Sequence, residues 1–95
     1  MANTVTEERI TGLIKSEEFF MLGEKTIACL VILQNGFEIV GTSACVDPAN
    51  FNTTMGREFA HEDAMRQIET LEGYRLQWEL HEYREKQQKA KELRI

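Results

Sequence analysis

The sequence contains little cysteine: Cys29 and Cys45 are the only two among 95 residues. They are too far apart for a paired-cysteine zinc site, and two thiols are too few for the disulfide framework of a small secreted domain. We therefore expect both thiols to be reduced and mostly buried in a cytosolic protein.

Long apolar segments are also missing. No stretch approaches the roughly 20 apolar residues of a membrane span, and the N-terminal stretch from Met1 to Ile10 lacks the apolar region of a secretory signal. We therefore expect a protein that is neither exported nor anchored in a membrane. With one proline and six glycines, the composition is that of a globular chain, which excludes a collagen-like or low-complexity protein.

Positive charge is scarce. The chain has 11 lysines and arginines against 16 aspartates and glutamates, a formal net charge of −5. This balance opposes general attraction to a DNA or RNA polymer or to an anionic membrane surface. A local pocket would therefore have to attract any anionic ligand.

The length of the chain predicts one domain, spanning residues 1–95. A domain of this size buries only about 60 to 65% of the surface that its unfolded chain exposes, so it lies near the lower limit of independent stability. Association with a second copy is therefore a natural expectation.

Local patterns predict a short first helix and two strands. Thr4 and Glu7 have the spacing of a capping box, and the apolar residues that follow lie on one helical stripe, which predicts a helix from about Val5 to Lys15. Two runs rich in β-forming residues, Phe19–Leu22 and Thr26–Leu33, flank a short turn.

The second of these strands is apolar on both faces, which predicts a central strand covered on both sides. Asn35-Gly36 then predicts a hairpin with a two-residue type I′ turn, and a third strand should pair back from Phe37 to about Ala44. In that register, Val31 lies opposite Val40 and Gln34 opposite Phe37.

Turn-forming residues between Asp47 and Asn52 predict a structured loop, with Asn52 as the cap of a long helix from Thr53. Its expected apolar positions are Met55, Phe59, Ala64, Ile68 and Leu71, followed by Leu76, Leu80 and Tyr83.

Gly73 is a possible break in this helix, and residues 85–95 should form a charged helical tail. An unbroken helix to Tyr83 would span roughly 45 Å and protrude from so small a domain, which implies a partner. The predicted fold is α+β: a short N-terminal helix, a three-stranded antiparallel sheet with an Asn-Gly hairpin, and a long C-terminal helix.

Residues suited to catalysis are sparse. Glu58 and His61 have the spacing of a carboxylate and imidazole pair in di-metal helical bundles, but such sites need further ligands, and a solvated helix face is the simpler interpretation. Neither Ser43 nor either cysteine has an evident base nearby, and there is no glycine-rich phosphate loop. We therefore expect a protein that is not an enzyme and that needs no cofactor or metal.

The loop and the start of the long helix indicate binding instead. A helix start offers free N–H groups to phosphate, and Asn50 and Asn52 carry amides suited to nucleobase edges or ribose hydroxyls. Gly56 would allow close approach to the backbone, and Arg57 could pair with a phosphate. The alternative is that these residues are only turn formers, a cap and a solvated charge.

Three further residues extend this candidate site. Arg66 lies nine residues after Arg57, which places the two on opposite helix faces, so both could line one pocket only across a subunit boundary. Phe37 could stack on a base, although a strand residue of this type more often belongs to the core. The Asp47 carboxylate could accept from ribose hydroxyls, or it could form the turn.

Several separated motifs resemble a family of small phage proteins, and within it the Thoeris anti-defence sponges of the first type. The resemblance covers Glu8 to about Leu76 and is carried by Leu33-Gln34-Asn35-Gly36-Phe37, by the run from Gly41 to Phe51, by Met55-Gly56-Arg57 and by Leu71-Glu72-Gly73-Tyr74.

The resemblance implies a non-enzymatic protein in the cytoplasm of an infected bacterium that sequesters cyclic nucleotide immune signals. The implied ligands are cyclic ADP-ribose isomers such as glycocyclic ADP-ribose and, in some members, cyclic trinucleotides. It also implies dimers that assemble into hexamers, with pockets between protomers. The implied ligand-binding residues are Phe37, Asp47, Asn50, Asn52, Arg57 and Arg66.

Two alternatives remain open at this point. The first is a phage factor that occupies a host protein through its long acidic helix, around Leu76, Leu80 and Tyr83. The second is a metal-dependent enzyme that uses Glu58 and His61 in an oligomer.

Overall fold

The computed structural model describes residues 3–93, which form the predicted α+β fold. Met1, Ala2, Arg94 and Ile95 lie outside the described residues, so the predicted tail over 85–95 is described only as far as Leu93. The elements in chain order are α1 (Glu7–Leu13), β1 (Ile14–Met21), β2 (Thr26–Leu33), β3 (Glu38–Ala44), a 3-10 helix (Pro48–Asn50) and α2 (Thr53–Leu93).

Helix α1 is shorter than predicted, and strand β1 is longer. The Thr6 side chain, not Thr4, accepts from the backbone N–H of Arg9 at 3.1 Å and caps α1. Strand β1 begins at Ile14, which pairs with Leu33, and a bulge follows before Ser16 pairs with Ile32. Pairing with β2 extends β1 through polar residues whose own β propensity is weak.

The sheet has the order β1-β2-β3, with both pairs antiparallel, so β2 is central as predicted. One of its faces packs against both helices. The core on that face includes Ile10, Ile27, Cys29, Val31, Leu33, Ile39, Ala60, Ala64 and Ile68. On the other face, Ala28 is buried and Leu30 and Ile32 are partly buried, while Phe20 and Val40 on the flanking strands are about half exposed, so the predicted cover on both sides is only partial in residues 3–93.

The hairpin between β2 and β3 differs from the prediction by one residue. Val31 lies opposite Ile39, not Val40. The Gly36 N–H donates to the Leu33 carbonyl at 2.9 Å, and only Gly36 in the turn has a positive φ, of 88°. The loop therefore has three residues and not the two of a type I′ turn. The observed register keeps Val31 and Ile39 on the core face, whereas the predicted one would have placed Val40 on the core face and Ile39 on the other.

Helix α2 is continuous over 41 residues, so the possible break at Gly73 does not occur. The Asn52 side chain accepts from the Met55 N–H at 3.1 Å and caps it, as predicted. The buried stripe recurs every fourth residue and consists of Gly56, Ala60, Ala64, Ile68, Glu72 and Leu76. The predicted apolar positions Met55, Phe59 and Leu71 flank this stripe and are about half exposed.

The outer edge of β3 is covered by polar side chains of α2. Asp63 Oδ2 accepts from the Thr42 N–H at 2.9 Å, and Gln67 Nε2 donates to the Val40 carbonyl at 2.8 Å. These contacts satisfy backbone groups that an edge strand otherwise exposes.

Helix α2 extends well beyond this core. At about 1.5 Å per residue it measures roughly 60 Å, and the longest dimension of the molecule is 71 Å. Neither α1 nor α2 is long and apolar enough to cross a bilayer over the described residues.

Candidate functional site

A cleft of about 310 Å³ lies at the hairpin end of the sheet. We call it the hairpin cleft. The end of α1, the turn between β2 and β3 and the middle of α2 form its walls, through Leu13, Leu33, Gln34, Asn35, Phe37, Ile68, Leu71, Glu72 and Arg75. Its inner wall is mainly aliphatic, and the Phe37 ring, 52% exposed, stands at one side. Apolar walls with a few fixed polar groups are typical of small-molecule sites.

Two amide side chains on the turn are held in place by the backbone. Gln34 Nε2 donates to the Ile14 carbonyl at 3.1 Å, and Asn35 Oδ1 accepts from the Phe37 N–H at 3.0 Å. Each amide thus uses one polar group within the protein, and the other group is the one that a ligand would contact. The hydrogen bond from the Phe37 N–H to Asn35 also fixes the backbone of Phe37, which carries the exposed ring.

Two residues that line the hairpin cleft, Glu72 and Arg75, belong to a charged network. Glu72 is 6% exposed and accepts from Arg9 Nε at 3.1 Å and from Arg75 Nε at 2.9 Å. Hydrogen bonds from Arg75 hold the pKa of the Glu72 carboxyl below its ordinary value, although burial acts in the opposite direction. Arg75 Nη1 also donates to Glu79 at 2.6 Å. The network fixes the Arg75 guanidinium at the rim.

The predicted Asn50 and Asn52 lie together in a smaller groove of about 130 Å³, near the start of α2. Phe51, Met55 and Phe59 are among its other lining residues. We call it the loop groove.

Asp47 has a structural role beside the loop groove. Its carboxylate accepts from the Ala49 N–H at 2.9 Å and caps the 3-10 helix. Asp47 therefore adopts the turn role that the sequence left open, and Asn52 acts as a helix cap.

The two predicted arginines lie on opposite sides of α2. The Arg57 guanidinium stacks over the Phe19 ring of β1, 5.7 Å from its centroid. Arg66 contacts Asp63 at 3.5 Å on the β3 side and is largely exposed. Phe37 lies near Leu71, about 20 Å further along α2 than Arg57 at 1.5 Å per residue. The six predicted residues therefore do not form one pocket in a protomer.

Gly56 packs closely against side chains of β2 and the loop. A β-carbon at Gly56 would lie 3.0 Å from Ile27 Cδ1 and 3.3 Å from the Phe51 ring. The Ser43 hydroxyl donates to the Gly56 carbonyl at 2.6 Å. The close approach that the sequence suggested for a ligand is made by the protein's own side chains.

The sequence interpretation did not include Gln34, Leu71, Glu72 and Arg75 among the site residues. The signal for Arg75 was its spacing from Glu72 and Glu79, three and four residues away, which is typical of ion pairs on one helix face. No local pattern indicated that this pair lies beside Phe37.

Glu17 contacts both His61 and Cys29. His61 Nδ1 lies 2.5 Å from Glu17 Oε1, and the Cys29 thiol donates to the same oxygen at 3.2 Å. Burial, together with the Glu17 carboxylate, raises the pKa of Cys29 to about 12. A thiol held protonated is a poor nucleophile. His61 contacts Glu17 and not Glu58, and residues 3–93 contain no group of three or more side chains arranged to hold a metal ion.

Comparison with known proteins identifies a family. No curated protein and no solved structure matches the chain. Residues 5–80 match the model of the family described as Phage protein (N4 Gp49/phage Sf6 gene 66). This match covers most of the chain and includes the hairpin cleft and the loop groove. The chain therefore belongs to the N4 Gp49/phage Sf6 gene 66 family of phage proteins.

Proposed function

We propose that this phage protein binds and sequesters cyclic nucleotide immune signals, without cleaving them, in the cytoplasm of the infected bacterium. The ligand class is cyclic ADP-ribose isomers, with cyclic trinucleotides as a second class. The observation that supports this function is the hairpin cleft, whose lining combines the half-exposed Phe37 ring with the fixed Arg75 guanidinium and two amide side chains.

The chemistry of the hairpin cleft suits a nucleoside. An exposed aromatic ring offers a stacking surface to a base, and amide groups can bond to base edges or ribose hydroxyls. Its volume of about 310 Å³ is at the lower end of small-molecule sites, so it fits part of a cyclic dinucleotide-sized ligand. The rest of such a ligand must contact other groups.

A second copy of the chain can supply those groups. Asn50, Asn52 and Arg57 lie about 20 Å or more along the α2 axis from Leu71, which lines the cleft with Phe37, so they are too far away to contact the same small ligand in one protomer. In a homo-oligomer, the loop groove or either arginine of one copy can lie beside the hairpin cleft of another. We therefore propose a homo-oligomer, a dimer or a hexamer, with pockets shared between protomers.

Calorimetry with cyclic ADP-ribose isomers and cyclic trinucleotides tests this function. We expect tight binding to at least one of them, weakened roughly tenfold or more by Phe37→Ala because the base loses its stacking surface. Tyr83→Ala is the matched control, since Tyr83 is a similarly exposed aromatic residue outside the hairpin cleft. Absence of tight binding to every ligand would refute the proposal.

Mass spectrometry separates a sponge from an enzyme. A ligand released from the protein by heat should have the mass of the ligand that was added. A hydrolysed product would show that the protein is a catalyst, and it would contradict the proposed sequestration.

A second candidate function is binding of a host protein through α2. Tyr74, Trp78 and His81 form an exposed ladder of edge-to-face contacts, with centroid distances of 6.4 and 5.7 Å. Exposed aromatic residues of this kind are enriched at protein interfaces. The end of this helix is charged and mainly basic, since residues 84–93 contain four basic and two acidic side chains.

A pull-down from host lysate distinguishes this second function. It predicts one stoichiometric partner that is lost with Trp78→Ala and retained with Arg57→Ala. Retention of the same partner by Trp78→Ala would exclude the aromatic ladder as its binding surface.

A further inference from the structure

Positive and negative charges are segregated along this chain. Residues 84–93, which end the described part of α2, contain four basic and two acidic side chains, whereas residues 3–83 contain six basic and fourteen acidic ones. We call residues 84–93 the basic end. Its cations are Arg84, Lys86, Lys89 and Lys91, and none of them takes part in an ion pair within residues 3–93. The basic end therefore has four cations available for an anionic partner.

The basic end is electrostatically separate from the acidic body of the protein. Leu76 is the last buried residue of α2, and the basic end lies about 12 to 25 Å beyond it along the helix axis. Interactions between exposed charges are screened over about 8 Å at physiological ionic strength. The carboxylates around the sheet therefore repel an anion at the basic end only weakly, although the overall charge of the chain is −5.

The aromatic ladder of α2 lies directly before the basic end. Its two largest rings, Tyr74 and Trp78, are 66% and 52% exposed. Lys89 lies eleven residues after Trp78, which places both on the same side of the helix about 16 Å apart. Glu85, on that side as well, is paired with His81 at 3.3 Å. Exposed rings and available cations therefore share one side of α2.

We propose that this side of α2 binds single-stranded nucleic acid, either RNA or DNA. Unpaired bases stack on exposed aromatic rings with little regard to sequence, and neighbouring cations contact the phosphates. Stacking selects for unpaired bases, and charge contributes an affinity that falls with salt. This site lies outside the hairpin cleft, so it does not depend on the proposed capture of cyclic nucleotides.

The composition of the basic end favours a nucleic acid over a membrane surface. A helix that lies on a membrane needs an apolar face to insert between the lipids. The basic end contains only Ala90 and Leu93 as apolar residues. Its cations also surround the helix axis, since Lys86 lies about 200° from Arg84. The basic end therefore has no face that could enter a bilayer.

Fluorescence titration at about 50 mM salt tests the site, because Trp78 is the only tryptophan. Oligo(dT) and oligo(U) of about 20 nucleotides, long enough for one stacking site, should each be tested. At least one should quench Trp78 emission, with a dissociation constant on the order of 10 to 100 µM. The logarithm of affinity should fall with the logarithm of salt concentration with a slope of at most about −3, because four cations can each neutralise one phosphate.

Charge reversal at one lysine locates the contact. Lys89→Glu should weaken oligonucleotide binding at least fivefold, because it replaces a phosphate contact with a repulsive charge. Lys15→Glu is the matched control, since it makes the same change in net charge at an exposed residue of β1. It should leave the affinity nearly unchanged. Both side chains are exposed, so circular dichroism and thermal unfolding of the two variants should match the unaltered protein.

Removal of one ring tests the stacking. Tyr74→Ala should weaken binding at least fivefold, measured by the fluorescence anisotropy of a labelled oligonucleotide. Phe20→Ala is the control, because Phe20 is an aromatic residue of β1 that is also about half exposed. A duplex of the same length should bind at least fivefold more weakly than the single strand, since its bases are already paired and stacked on one another.

Several results would overturn the proposal. These are no binding of either oligonucleotide, equal losses for Lys89→Glu and Lys15→Glu, and equal affinity for the duplex. Tighter binding to phosphatidylglycerol vesicles than to either oligonucleotide would assign the basic end to a membrane instead. A host protein that binds through Trp78 and is not displaced by excess oligonucleotide would assign this side of α2 to a protein. Quenching by a single strand, with losses confined to Lys89→Glu and Tyr74→Ala, supports it.

Discussion

A β-carbon added to Gly41 would lie 2.2 Å from the carbonyl oxygen of Ala60 and 2.5 Å from the backbone nitrogen of Ala64. Strand β3 and helix α2 therefore pack backbone against backbone at this point. The small residues of α2 allow the same close approach from the helix side. This contact determines the distance between the sheet and the helix that carries Leu71, Glu72 and Arg75.

Gly41→Ala should lower the free energy of unfolding by about 3 kcal/mol or more, or prevent folding, because backbone atoms cannot move aside as a side chain can. Urea unfolding measures the change. Gly73→Ala is the control: no atom lies within 4 Å of its added β-carbon, and alanine should raise helix stability by about 1 kcal/mol. Similar stabilities for the Gly41→Ala variant and the unaltered protein would disprove the close contact.

The Glu72 network predicts loss of stability in acid. Its folded-state pKa is lowered below the ordinary value of 4.5, so its contribution is present above pH 4.5 and is lost as the pH falls through the lower, folded-state pKa. Glu72→Gln should lower the free energy of unfolding by about 2 kcal/mol at pH 7. The difference from the unaltered protein should shrink toward pH 3. Urea titrations at each pH measure it.

Glu79→Gln is the matched variant for this network. Glu79 contacts Arg75 alone in the network and is 46% exposed, so its loss should cost less than about 1 kcal/mol. If the two variants lost the same stability, burial of Glu72 would not be the source of its effect.

The two cysteines should differ in reactivity. The Cys29 thiol is inaccessible and has its pKa raised to about 12, whereas Cys45 is partly exposed. A disulfide reagent at pH 8 should therefore modify one thiol in the native protein and two after denaturation. Cys45→Ser should abolish the fast reaction. Rapid modification of Cys29 in that variant would show that its environment is more open than the structure indicates.

The hairpin turn depends on one glycine. Gly36→Ala should lower the free energy of unfolding by about 1 to 2 kcal/mol, because alanine is strained at the positive φ of this residue. Thermal unfolding measures the effect. Gly12→Ala, in α1 with open space around the new β-carbon, should not destabilise the protein. Equal melting temperatures for the two variants would contradict the observed turn.

Patterns of neighbouring residues correctly predicted strand β2 and the start of helix α2. The bounds of β2 and the start of α2 at the Asn52 cap follow from residues adjacent in the chain. The start of β1 at Ile14 could not be predicted from neighbouring residues, because it is determined by pairing with Leu33 on another strand. The hairpin register likewise depends on burying Ile39 in the core. The turn preference of Asn35-Gly36, from which the register was predicted, carries no information about that burial.

The candidate site was predictable only in part. Asn50 and Asn52 are neighbours in sequence, so their common groove could be anticipated from the loop. The hairpin cleft joins Phe37 to Arg75, which lies 38 residues later and reaches it only because α2 is docked across the sheet. Periodicity also favoured the large apolar residues of α2, whereas the buried stripe uses glycine and alanine so that the helix can approach β3.

The covered edge of β3 restricts how copies of this protein can aggregate. Asp63 and Gln67 occupy the outward N–H of Thr42 and carbonyl of Val40, which opposes the addition of a strand to β3. The other edge, β1, carries a bulge and the exposed charges of Lys15 and Glu18, both of which oppose strand addition. Growth of a continuous sheet into fibres is therefore disfavoured at both ends, so even at high concentration the chains should form assemblies of finite size.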